Sequence, residues 1–534
     1  MIASRRISPA RTISKSTLKR TLAIYCQGNA CSPEGVFRYS NGRFLVNEEY
    51  ELAKRYARFD IDALCKVVSS LPSVGSPIIK IDKKEGGYNK ALLMKAENGI
   101  TVSERFHFVK ARSSTPVSNV LAWSATSSNP VQSEYIVLDK STGRQLPGVW
   151  NNLNKVDRFK LVGNFARLES KLASIRFPAY GALYLREHLP PRLKQPGRTI
   201  DVDDTYCLGP VYHGSWPGGY AANPEEYERF AGPWRTLFDL GHDAARQGIW
   251  QIENHKSSHS GRGPHFGDPE EHVRLLKTAI DLIRILCGSP MLQKHSNPAL
   301  SHPDFHPGNI FVSDDDPTRI SGVIDWQFTT VMPRFTQVRW PVFLNTPEGY
   351  QTNRETPELP LTYEEEDELD KKRKCDDEEK LGQYAMTKCY ESALLKSHLE
   401  SYLALTEIDV AVRQLFISCA YTYRDGIIPL RDCLVKIFQN WSKFDVSADC
   451  PYHFSRDEIA QHERQFKDYG VWLQMRKHTH ELLGSNDSGW VPPRVNFEEA
   501  QKKHEQLYEN FIKAKTKHMS EREAGKLWFF RERG

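Results

Sequence analysis

Twenty-five residues in the second half of the chain constrain its fold more than any others. They read His302-Pro-Asp-Phe-His-Pro-Gly-Asn-Ile-Phe-Val312, then a turn at Asp314–Thr318, then Ile320-Ser-Gly-Val-Ile-Asp325-Trp326. The apolar runs Ile310–Val312 and Ile320–Ile324 flank that turn and predict an antiparallel hairpin. Such a hairpin returns Asp325, just after its second strand, to Asn309, just before its first. Asp304 lies in the loop that leads in. Two carboxylates and an amide then converge from a stretch of 22 residues.

That set suits phosphoryl transfer. One carboxylate, Asp304, can orient an attacking hydroxyl and take its proton. An amide oxygen (Asn309) and a second carboxylate (Asp325) can hold Mg²⁺ on the phosphates of ATP. The order H-x-D-x-x-x-x-N, hairpin, apolar strand, Asp parallels that of a kinase catalytic loop followed by its metal aspartate. Two plainer accounts compete. Surface aspartates often cap turns, but capping does not explain the order of the two. His302 and His306 are four apart, as zinc ligands on a helix would be, yet Pro303, Pro307 and Gly308 oppose a helix. His302 is therefore expected to brace the loop through hydrogen bonds to backbone.

The remaining sequence divides into three. Residues 1–35 begin with a basic, Ser/Thr-rich stretch holding Arg5, Arg6, Arg11, Lys15, Lys19 and Arg20, with no acid before Glu34. This is the composition of a mitochondrial transit peptide, or of a disordered basic tail. Those six charges exceed the net charge of +5, so the body is close to neutral and no nucleic-acid partner is expected. Ten cysteines occur without a C-x-x-C pair, and reduced thiols are expected rather than a disulfide or metal framework. No apolar run is long enough to span a membrane.

Residues 36–140 read as a β-rich lobe. Helical spacing over Ser40–Asp62 precedes three strands with turns at Gly86-Gly87 and Asn98-Gly99, and two more strands at Val120–Trp123 and Glu134–Asp139. Residues 141–534 are mainly helical, with segments at Val156–Ser174, Ala231–Gly248 and Glu270–Cys287 and a polar helical remainder. The charge block at residues 364–380 reads as an exposed helix laced with ion pairs.

HPDFHPGNIFV followed by VIDW resembles the aminoglycoside phosphotransferase-like enzyme family. EGGYNKALLM, PVSNVLAWSA, NPVQSEYIVLDK and Gly232-Pro-Trp234 are similar to its fungal altered inheritance of mitochondria protein 9 group. The resemblance runs from about Val36 onward. It implies an α+β, bilobal, protein-kinase-like fold and an ATP- and Mg²⁺-dependent enzyme acting on a small hydroxyl-bearing acceptor in mitochondria. It also implies Asp304 as catalytic base, Asn309 and Asp325 as metal ligands, and Gly86, Gly87 and Asn89 as the turn over the nucleotide phosphates. Leu138, in the strand before the interlobe linker, would present backbone to adenine.

The pattern breaks after residue 105. Arg105 occupies the position of the phosphate-gripping cation of the third strand, but only eleven residues, Phe106–Pro116, precede the next strand region. No Asp or Glu lies between Glu104 and Glu134, so the helix glutamate that would brace such a cation is missing. Two readings follow: a phosphotransferase with a shortened lobe, or a catalytically impaired, pseudokinase-like mitochondrial binding or maintenance protein.

Overall fold

The computed structural model describes residues 22–86, 90–98, 101–102, 112–212, 226, 228–254, 263–264, 267–347, 350, 352 and 368–530, with side chains left aside at 101–102, 368–376 and 423. Strands dominate the first part of the chain and helices the second, which is the α+β division expected from the sequence.

The strands before residue 140 are β1 (Ala23–Cys26), β2 (Asn29–Ala30), β3 (Arg43–Phe44), β4 (Ile78–Glu85), β5 (Lys90–Ala96), β6 (Thr101–Val102), β7 (Val120–Ser124) and β8 (Tyr135–Leu138). Five of them form one sheet in the order β2-β1-β4-β5-β6, while β7 and β8 pair as a separate ribbon. The helix Ile61–Ser69 starts where the Asp60 side chain accepts a hydrogen bond from the Ala63 N–H (2.8 Å), an N-cap that satisfies an orphan donor. Its Leu64 and Val68, four apart on one face, bury against Ile81, Met94 and Val137. Burying each such side chain contributes about 1.5–3 kcal/mol.

Three expectations are corrected in this region. Residues 23–30, assigned by composition to the leader, form β1 and β2, and β1 lies parallel to β4; alternation is too short there to register against the basic stretch before it. Cys26 and Cys31 form a disulfide, with Cα atoms 5.9 Å apart, because the β1–β2 hairpin folds the two back on each other. The helical spacing over Ser40–Asp62 resolves into two helices, Glu48–Arg55 and Ile61–Ser69. The intervening backbone is drawn out by the bond from Asp60 N–H to Val131 O (2.8 Å).

Beyond residue 140 come β9 (Arg144–Gln145), β10 (Gly181–Leu185), β11 (Ile200–Asp201), β12 (Tyr206–Gly209), β13 (Pro298–Leu300), β14 (Ile310–Val312), β15 (Ile320–Val323), β16 (Thr330–Pro333) and β17 (Trp490–Val491). They form the sheets β11-β12-β10-β16-β13 and β15-β14-β9, and β17 pairs with β3. The expected helices are Lys155–Ala173, Leu237–Asn254 and Pro269–Leu286. The second begins six residues later than its spacing suggests, because Trp234 is tied to Tyr180 by backbone hydrogen bonds in both directions (2.9 and 3.0 Å). The main core lies where Leu240, Ile249, Leu276 and Ile283 meet Leu415, Phe416 and Leu430. The charge block continues into a helix, Glu368–Ser397, on which Lys380 and Asp377 form an ion pair (3.9 Å). No helix among the described residues is long and apolar enough to cross a membrane.

The polar C-terminal remainder holds a core of its own. The helix Arg456–Leu483 opens on a capping box between Ser455 and Glu458. Trp472, Phe511, Trp528 and Phe530 then pack around Leu45 and Val46 from the first lobe. The aromatic residues are too widely spaced in sequence to announce this cluster.

Candidate active site

The predicted hairpin is present: β14 and β15 are antiparallel, with Ile310 opposite Val323. The Ile324 N–H donates to Asn309 O (2.9 Å), so Asp325 follows directly on the residue bonded to Asn309. Its φ of +67° turns the chain out of the strand, a left-handed conformation that a short polar side chain tolerates better than a branched one.

The loop before β14 is fixed to that end of the hairpin. His302 is buried. Its Nδ1 accepts from the Asp304 N–H (3.2 Å), which leaves Nε2–H to donate to Ile324 O (2.9 Å). The neutral imidazole thus spans from the loop to the second strand, as the sequence predicts. Its ring packs edge-on against Trp326, centroids 4.6 Å apart. Asn309, also buried, donates its Nδ2–H to Asp304 O (2.9 Å), so its amide oxygen is left as an acceptor. The Asp304 carboxylate, by contrast, is 67% exposed, with His306 Nε2 3.5 Å away. Backbone at Asp304 is held while its side chain is open to a reactant.

Several supports escaped the sequence reading. β9 adds a third strand to the hairpin, Phe311 opposite Gln145, and the Gln145 amide donates to Gly308 O (3.1 Å). Two-residue strands carry no periodicity, but Gly143 is a signal. At φ +88° a Cβ there would stand 2.1 Å from Val312 O, so only glycine permits the approach. On the other side Val323 N–H donates to Pro116 O (2.8 Å), and Val117 buries beside Trp326. The chain after the shortened segment is therefore seated on the hairpin. Arg339 donates to Pro303 O (3.1 Å). Behind it, the Tyr390 hydroxyl donates to Glu169 (2.6 Å), whose carboxyl burial pushes up to about 7.

The nucleotide-side residues are placed less completely. Gly86 is exposed at the end of β4, and a Cβ there would meet nothing within 4 Å. Gly87, Asn89 and Arg105 lie outside the described residues. The Leu138 side chain is fully buried and its strand, β8, pairs on one edge with β7. Lys83 is a cation within the first lobe that sequence reading passed over. It is fully buried, and its Nζ donates to Gly35 O (2.9 Å), Arg38 O (2.6 Å) and Glu85 (2.9 Å). Its three N–H groups are used within the protein, so it does not replace Arg105 as a phosphate grip.

With loop, hairpin and exposed carboxylate in place, the family match and the relatives' names agree with the motif resemblance. Residues 246–338, which contain the whole constellation, match the phosphotransferase enzyme family (APH). The chain is 27% identical to a subtelomeric hrmA-associated cluster protein of Aspergillus fumigatus, over 79% of this chain and 91% of that protein. It is 23% identical to altered inheritance of mitochondria protein 9, mitochondrial, of Yarrowia lipolytica, over 90% of this chain and 87% of the relative. Among solved structures, the streptomycin–ATP–APH(2″)-IIa ternary complex aligns at 12% identity and a TM-score of 0.31, covering 72% of this chain and 97% of that one.

Proposed function

We propose that the protein is an ATP- and Mg²⁺-dependent phosphotransferase that acts on a small hydroxyl-bearing acceptor in mitochondria. The observation that carries this reading is the locked end of the hairpin. His302 and Asn309 fix the backbone of Asp304 while leaving its carboxylate exposed. Asp304 would accept the acceptor's hydroxyl proton. The Asn309 amide oxygen and the Asp325 carboxylate are hard oxygen donors of the kind Mg²⁺ takes. Mg²⁺ on a nucleotide is commonly held by one or two protein oxygens together with the phosphates, rather than by a protein cage. Bound Mg²⁺ would neutralise charge on the transferring phosphoryl group. The mitochondrial setting is supported by the name of the Yarrowia lipolytica relative and by the basic, acid-free first residues.

The absence of any acid between Glu104 and Glu134 favours a second reading, in which the same fold binds without transferring phosphate. Thermal unfolding with and without MgATP separates them when followed by an ATP-turnover assay. A ligand that binds only the folded state raises its apparent stability. The phosphotransferase reading expects a Mg²⁺-dependent rise in Tm that EDTA and Asp325→Asn abolish, together with turnover. A rise without turnover, or no rise at all, contradicts the phosphotransferase and supports the binding protein.

A further inference from the structure

The chain that leaves the hairpin after Asp325 returns to the loop that carries Asp304. From Trp326 to Pro347 it holds no Asp or Glu, and two arginines. Arg334 is buried and paired with Glu400. Arg339 is exposed. Two rungs tie this segment to the loop at alternate residues: the Ser301 hydroxyl donates to the Gln337 side chain, and Arg339 donates to Pro303 O (3.1 Å). Arg413 anchors it to the helical lobe, donating to Val338 O and to Ala404 O.

The carbonyls of Pro303 and Asp304 are thus taken by different partners. Asp304 O receives the amide of Asn309 (2.9 Å), the proposed metal ligand, and Pro303 O receives Arg339. Beside the Asp304 carboxylate stands His306. Its Nδ1 accepts from the Gly308 N–H (3.0 Å), so its Nε2–H is the donor that faces Asp304 at 3.5 Å. A neutral carbonyl engages one arm of the Arg339 guanidinium without cancelling its charge. The Glu169 carboxyl feels that charge, but it is buried, engaged by the Tyr390 hydroxyl (2.6 Å) and held up to about 7. A fixed, exposed guanidinium bonded to the residue before a general base attracts an anion and repels a cation.

We propose that Arg339 selects the acceptor, by binding a carboxylate or phosphate carried on the same small molecule as the reactive hydroxyl. The inference rests on the phosphotransferase reading and deepens it, from a hydroxyl compound to an anionic one. The planar fork of a guanidinium matches two oxygens of either group, a fit that an ammonium does not reproduce. With the anion held there, the acceptor oxygen bonds to the γ-phosphorus of ATP. The bridging P–O bond breaks with its electron pair leaving on ADP, and the hydroxyl proton passes to Asp304.

Transfer of phosphate from MgATP by the full-length protein to four three-carbon probes tests this. Glycerate and glycerol 3-phosphate are the anions, glycerol the neutral probe and serinol the cation, each with the wild type, Arg339→Gln and Arg339→Lys. The wild type is expected to prefer one anion over glycerol and serinol by about 10- to 100-fold in kcat/KM, the size of one charge-assisted hydrogen bond. Which anion is preferred tells carboxylate from phosphate. Arg339→Gln should abolish the preference, chiefly by raising KM for the anion, and Arg339→Lys should recover part of it. Loss of folded protein lowers transfer to all probes alike and does not change their ratio. Equal transfer to anions and glycerol, a preference that Arg339→Gln leaves intact, or MgATP hydrolysis without transfer to any probe overturns the inference and leaves the phosphotransferase reading standing. A wild type that does not turn over MgATP overturns both.

Discussion

His302 joins the loop and the hairpin through one side chain: its Nδ1 receives the Asp304 N–H and its Nε2–H reaches Ile324 O at 2.9 Å. The residue that carries the proposed base and the residue preceding the proposed metal ligand are thereby held by a single ring.

Replacing that ring should be costly. His302→Ala removes the partner of the Asp304 N–H and of the Ile324 carbonyl and opens a void beside Trp326 and Phe305. A loss of about 2–4 kcal/mol in chemical denaturation is expected. His302→Asn, which can keep one of the two bonds, should recover part of it. Equal stability of His302→Ala and the wild type would remove the brace from the account.

Gly143→Ala tests the third strand of the hairpin. The added methyl meets Val312 O at 2.1 Å from a backbone at φ +88°, so strain and displacement of β9 should cost about 1–3 kcal/mol. Turnover should fall too, because Gln145 would no longer support Gly308.

Glu169 gives the fold a pH dependence of predictable sign. Burial raises its carboxyl from 4.5 to about 7, while the Tyr390 hydroxyl and the Arg339 charge oppose the rise. Between those values the folded protein holds a proton that the unfolded chain has released, so stability contributed by this group falls as pH rises through the window. The Tm of the wild type should decline from pH 4.5 to 7 more steeply than that of Glu169→Gln. Parallel curves would contradict the assignment.

The hairpin and the loop that leads into it are legible in the sequence. Asn309 and Asp325 flank two apolar runs, and a hairpin allows little choice about where its ends meet; the placement of His302 followed from the prolines that forbid a helix. What sequence left hidden has a common physical cause. β9 pairs through two residues, Pro116 supports β15 with a lone carbonyl, and Trp490 reaches Asn41 across 449 positions. Contacts made by backbone atoms, or by single side chains far apart, leave no period to detect. The first-lobe ion cluster was hidden differently: Lys83 and Glu85 alternate with Lys84 as a solvated strand would, and only the packing of residues 35–41 over one face makes them interior.

The central claim is that the Asp304 carboxylate, open to solvent on a rigid loop, takes the proton of an acceptor hydroxyl. Mg²⁺-dependent ATP turnover by Asp304→Asn, compared with the wild type at matched Tm and MgATP affinity, tests it most directly. A fall of about 10²–10⁴-fold is expected, with melting and nucleotide binding retained. Turnover that is the same in both proteins, whether high in each or absent from each, contradicts it.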